Sequence, residues 1–296
     1  TGGDADLWVV HTDLEGNEIW ERSFGTDFDD AGWGCATTAD GGCVVVGEFG
    51  GTDGLTDGVL HRLDQEGDLL WQVDWPGAES ESAHDVIEAQ GGGFIMAGIT
   101  NSVYPFQQIL LSKVTDEGEV QWTNSHGLIS DWEAWDVQEQ ADGDILVAAS
   151  TSSSGSGGWD MYLLITDPDG AFEGGRTYGG IEDEKGRALA HCADGGVVLA
   201  GSSTSYGPGI ESAFVIKGDT AGFTYPETVQ VLFDPVSIPE TAAPVPYMRP
   251  TLLTAGGTVY LQAAPSDPPV TMALLDAAGR ILRTGPVHGE ALPMTA

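Results

Sequence analysis

The phrase Asp40-Gly41-Gly42-Cys43-Val44-Val45-Val46-Gly47 sets two glycines behind a turn residue, then a short apolar run, then a closing glycine. That order predicts a tight turn feeding one buried strand. The phrase returns as Gly91 to Gly98, in altered form as Asp142 to Ala149, and again as Asp194 to Gly201. Gly41, Gly92, Gly143 and Gly195 stand 51, 51 and 52 residues apart. A second marker, Asp13-Leu14-Glu15-Gly16, recurs with final glycines at Gly67, Gly118, Gly170 and Gly222, in steps of 51, 51, 52 and 52. A third, Trp20, Trp71 and Trp122, keeps the same step and lapses at Gly174. Three markers in phase at this period confine the chain to a solenoid or a propeller.

Each period holds four apolar segments joined by short turns rich in Gly, Asp or Ser, which predicts antiparallel neighbours. A four-stranded meander repeated radially is a propeller blade. The sequence therefore predicts an all-β fold, a β-propeller of about five blades. Residues 31–74, 83–125 and 134–178 make complete blades, 186 to about 235 a fourth, and residues 1–24 the last two strands of another. The partner that would complete this half blade is not evident among the repeats. Trp20, Trp71 and Trp122 are expected to lie largely buried between blades.

Composition limits the partners. A net charge of -36, from 46 acids against ten Lys and Arg, makes nucleic acid and anionic membranes poor ligands. It predicts a solubilising acidic surface. Calcium is the one ion such a surface would suit, although no loop has the ligand ladder of an EF-hand; no other cofactor is indicated. No apolar run is long enough to span a bilayer, so membrane insertion is not expected. Cys35, Cys43 and Cys192 lack the spacing of a zinc site, and the turn between Cys35 and Cys43 leaves a local disulfide open. The six histidines are scattered. No nucleophile elbow, zinc-protease helix or phosphate loop occurs, so no catalytic or metal-ligating residue is assigned.

Two resemblances add to this reading. The alternation of Asp6-Leu7-Trp8-Val9-Val10-His11-Thr12-Asp13 with the double-glycine phrase resembles the propeller repeats of secreted surface proteins in Bacteroidetes-type bacteria, over roughly residues 4–224. After the propeller region (1–235), five prolines between Pro235 and Pro250 predict an extended linker over 236–250. Residues 251–296 then form a small β module, in which Met272-Ala273-Leu274-Leu275-Asp276-Ala277-Ala278-Gly279-Arg280-Ile281-Leu282 resembles the sorting domain of type IX secretion. The family pattern is cut short at Ala296. These resemblances imply an extracellular or cell-surface protein whose C-terminal module engages the secretion machinery.

One column of the repeat carries chemistry. Trp33, His84, Trp135 and Arg187 are equivalent, and Asp85 and Asp136 follow two of them. The strand they open runs nearest the axis of a propeller, so they are expected to converge at one mouth of the channel. Aromatic faces with a few polar groups suit a sugar or a protein side chain; packing that plugs the channel is the competing expectation. The function expected is non-enzymatic, a binding and structural scaffold for an extracellular protein or glycan. Two alternatives stand beside it. One is a glycan-active enzyme using carboxylates at the channel mouth. The other is an assembly subunit whose open edge is completed by a neighbouring chain.

Overall fold

The computed structural model describes residues 5–224, apart from 104, 128, 208 and 209, together with four short strands beyond them. Five antiparallel sheets follow one another along the chain. Blade 1 is β1 (Leu7–Thr12) and β2 (Glu18–Phe24). Blade 2 is β3 (Ala31–Thr37), β4 (Cys43–Gly50), β5 (Thr56–Leu63) and β6 (Leu69–Trp75). Blade 3 is β7 (Glu81–Glu88), β8 (Phe94–Thr100), β9 (Gln108–Val114) and β10 (Val120–His126). Blade 4 is β11 (Trp132–Glu139), β12 (Ile145–Thr151), β13 (Asp160–Thr166) and β14 (Phe172–Tyr178). Blade 5 shows β15 (Glu184–His191), β16 (Val197–Ser203) and β17 (Ser212–Gly218). From β1 to β17 every strand pairs only with its chain neighbours, which makes each blade a meander. This is a β-propeller. The described residues contain no helix long and apolar enough to cross a membrane.

Both turn markers have a local cause. In each Asp-x-x-Gly turn the first side chain accepts the N–H groups two and four residues on: Asp64 Oδ1 takes Glu66 N at 3.0 Å and Asp68 N at 2.8 Å. Asp13, Asp167 and Asp219 repeat this, and Thr115 does it with a hydroxyl. The closing glycines turn the chain at φ between +73° and +85°, a region costly for other residues.

The core lies between blades. One apolar cluster joins Leu7 of blade 1 to Val45, Val59 and Leu63 of blade 2. A second sets Val46 and Leu60 against Val86, Phe94 and Met96 of blade 3. A third sets Ile109 and Leu111 against Val137, Ile145 and Val147 of blade 4, and a fourth sets Leu146 and Leu163 against Leu189, Leu199 and Phe214 of blade 5. At about 1.5–3 kcal/mol per fully buried large apolar side chain, these interfaces dominate stability. The burial pattern follows. All seven residues of β13 are buried because blade 4 has a neighbour on each side. β17 alternates instead, because only one face of blade 5 is covered among the described residues. Val215 is 43% exposed although its equivalents Leu60, Leu111 and Leu163 are fully buried. Trp8 of blade 1 is likewise 65% exposed.

The third marker clamps one blade to the next. Trp20 Nε1 donates to Gln65 O at 2.9 Å and Trp71 Nε1 to Asp116 O at 2.9 Å, both in the following blade's Asp-x-x-Gly turn. The indoles lie over Gly67 and Gly118, where a Cβ would meet ring atoms at 2.8 Å. Trp122 covers Gly170 with the help of Asn124, whose amide donates to Asp169 O at 3.1 Å. In blade 4 Tyr178 takes over and donates to Gly222 O. The tryptophans are therefore partly buried rim clamps between blades, as the repeat suggests, each packed against the edge of an inter-blade cluster; the Trp71 ring lies 5.9 Å from that of Phe94.

Strands begin slightly earlier than expected, at Glu81, Trp132 and Glu184. Cys35, Cys43 and Cys192 are free thiols, so the local disulfide left open is not formed. The linker predicted over 236–250 lies outside the described residues. Within 251–296 the described pairs are β18 (Thr258–Val259) with β21 (Met294–Thr295), and β19 (Thr271–Leu275) with β20 (Ile281–Pro286).

Candidate functional site

A β-bulge sits at the same place in the first strand of every blade that has one. Pairing runs Gly32 to Gly47 and then Gly34 to Val46, which leaves Trp33 unopposed. His84, Trp135 and Arg187 are skipped in the same way in β7, β11 and β15. The extra residue re-aims its side chain, and these four are the column residues identified from the repeat. The closing glycine of the recurring phrase now has a reason. Gly47, Gly98 and Gly201 pair with the residue just before the bulge, and a Cβ there would run into Ala31 O, Ser82 O or Lys185 O. Blade 4 carries Ala149 at this place.

The bulges bring the four side chains together as one stack. His84 lies parallel to Trp135 with ring centroids 4.3 Å apart, and Arg187 covers Trp135 with its guanidinium 4.1 Å from the ring. Trp33 meets His84 at 5.8 Å and Trp135 at 6.3 Å, both edge-on. Both faces of Trp135 are thus occupied from within the protein. Trp33 stays 50% exposed and ends the stack as an open indole.

Polar groups tie the stack down. His84 Nδ1 bonds Ala134 O at 2.6 Å, and burial lowers the imidazole pKa, so the ring stays neutral. Asp85 accepts Val137 N at 3.0 Å and Asp136 accepts Leu189 N at 2.8 Å, each reaching into the next blade just past its bulge. The two carboxyls are close enough to influence each other's titration. Burial, with Asp136 beside it, pushes Asp85 up to about 6; burial raises Asp136 as well.

The sequence reading missed Glu133, Lys185 and Trp159. Glu133 lies 3.4 Å from Lys185 Nζ and 3.9 Å from Arg187, while Lys185 sits 3.2 Å over the Trp159 ring. Burial lowers the Lys185 pKa, opposed by Glu133. The signal was present: Glu133 and Lys185 share the repeat position two before the column, with opposite charges in adjacent blades. Among the described residues no three His, Cys, Asp or Glu side chains gather to hold a metal. His61, in β5, bonds Gln72 Oε1 at 2.9 Å.

No protein-family model matches the sequence, and no curated protein does. Among solved structures, the chain is similar to a protein of unknown function from Dyadobacter fermentans, at TM-score 0.47 and 15% identity, covering 67% of this chain and 63% of that one. It therefore spans less than two thirds of that protein. A thermostable family-43 glycoside hydrolase is similar at TM-score 0.41 and 13% identity, covering 77% and 80%. The apocarotenoid oxygenase of Synechocystis is similar at TM-score 0.43 and 15% identity, covering 95% and 67%.

Proposed function

We propose that this propeller is a non-enzymatic binding and structural scaffold at the cell surface or outside the cell. Its contact surface is the open indole of Trp33 at the end of the axial stack. The observation that carries the reading is the contrast within the column. Trp135, His84 and both aspartates are engaged by the protein itself, whereas Trp33 keeps half its surface for a partner. An indole fixed by aromatic edges is a low-entropy platform for a sugar ring or an apolar protein side chain. Arg187, 45% exposed in its side chain, supplies a donor for an acidic group on the same ligand. The test is a glycan array with the native chain and Trp33→Ala. Binding by the native chain, reduced at least about tenfold in the variant, supports the site; unchanged binding removes it.

The glycan-active enzyme is kept as a second reading because of one observation, the neighbouring Asp85 and Asp136 carboxyls, both raised by burial. Its test is hydrolysis of a polysaccharide panel, abolished in Asp85→Asn and in Asp136→Asn. Secretion through residues 251–296 rests on the sorting-domain resemblance and the β19–β20 hairpin. A reporter fused to that segment, reaching the medium only when the type IX machinery is intact, is the expected result.

A further inference from the structure

Away from the axis, acids meet where one blade hands over to the next. Two repeat positions frame each handover. One lies at the head of a blade's third strand: Asp6, Asp57, Gln108 and Asp160. The other lies at the head of the next blade's first strand: Asp30, Glu81, Trp132 and Glu184. Three handovers carry acids at both positions. The fourth replaces one acid by an amide and the other by an indole, so the acids are kept together and lost together.

The handover from blade 4 to blade 5 shows why. Asp160 is 2% exposed and Glu184 is fully buried. Asp160 Oδ1 and Glu184 Oε2 press on the same side of Gly179, in the space a Cβ would need. Glu184 is saturated with donors: Ser203 Oγ at 2.6 Å and Ser205 N at 3.2 Å on Oε1, and Gly180 N at 2.5 Å on Oε2. Among the described residues Asp160 Oδ1 has no donor. Asp6 and Asp30 press on Gly25 in the same way, with Asp30 taking Thr26 N and Gly50 N. Two buried acceptors side by side without a donor repel. A calcium ion would need six or more oxygens, and among the described residues no three acidic, His or Cys side chains gather so as to hold a metal. A proton supplies the one missing donor.

We propose that in mildly acidic solution Asp160 is a carboxylic acid whose Oδ1–H donates to Glu184 Oε2, a latch joining blade 4 to blade 5 that opens when the proton leaves to solvent. Burial, the Glu184 charge and Asp183 push the Asp160 carboxyl up to about 6. The groups facing it are Glu184, Asp183 and the Tyr206 phenol, which donates to Gly179 O at 2.9 Å; no cation is among them. The folded value lies above the unfolded one. The stabilisation is therefore complete below about pH 4 and lost as pH rises through about 6. Blade 5 is held firmly in acid and loosened at neutral pH.

The experiment compares urea unfolding of the native chain and Asp160→Asn between about pH 5 and about pH 7.5. Asparagine donates to Glu184 permanently. The native folding equilibrium should fall on the order of tenfold more across this window than that of the variant. Asp85 titrates in both proteins and cancels in the difference. Should the variant fail to fold, carbon-13 carboxyl shifts of the native chain give the answer directly, with Asp160 titrating near pH 6. Equal pH slopes, or Asp160 titrating near 4, overturn the latch. Stabilisation of the native chain by added calcium at about pH 7.5, absent in Asp160→Asn, overturns it in favour of a bridging cation.

Discussion

Trp71 and Gly118 stand 47 residues apart in the chain and in contact in the fold, which makes them a test of the clamp. Trp71 is half-buried and donates one hydrogen bond. Trp71→Ala is therefore expected to cost about 1–3 kcal/mol, below the 3–5 kcal/mol typical of a fully buried aromatic. Gly118→Ala meets two obstacles, a φ of +83° and the Trp71 ring at 2.8 Å. With Trp71 removed, only the backbone term of about 1 kcal/mol remains. A double-mutant cycle in urea should return a coupling of roughly 1 kcal/mol or more. Additive effects would mean that indole and glycine do not touch.

At the scale of the element, the bulge decides where the column residues point. Gly98→Val places a side chain against Ser82 O, just before the bulge that presents His84. We expect a loss of about 2–4 kcal/mol in urea melts; a loss under about 0.5 kcal/mol would falsify the account of the closing glycine. The strands, their order and the two turns were legible in the sequence because each has a local cause: a glycine at positive φ, an Asp accepting two N–H groups, an apolar run. The column at 33, 84, 135 and 187 was legible through its period. Its self-stacking was not, because a bulge inserts one unopposed residue without disturbing the repeat length. The faces of Trp135 are then closed by side chains from two other blades. The Asp160–Glu184 contact was hidden for a related reason. Each acid looks like ordinary surface charge until two blades bring both against Gly179.

Over the whole molecule, 46 acids face ten Lys and Arg, and only five ion pairs join the described residues. Most of the acidic charge is thus uncompensated, and salt screens it over roughly 10 Å at about 0.1 M. Thermal midpoints should rise steadily with sodium chloride. A flat response, with stabilisation by micromolar calcium instead, would replace general screening with specific ion binding. The clamp has a further consequence at this scale. Each repeat bears a plug, the aromatic of its outer strand, and a socket, the glycine turn that receives the plug of the repeat before it. Gly67, Gly118 and Gly170 are filled sockets, whereas Gly16 has nothing within 4 Å among the described residues. Such a contact is heterologous: it joins unlike surfaces head to tail, as the subunits of a filament are joined, and it contains no instruction to stop. The contact itself does not fix how many blades follow, so a repeat can be added without inventing a new interface.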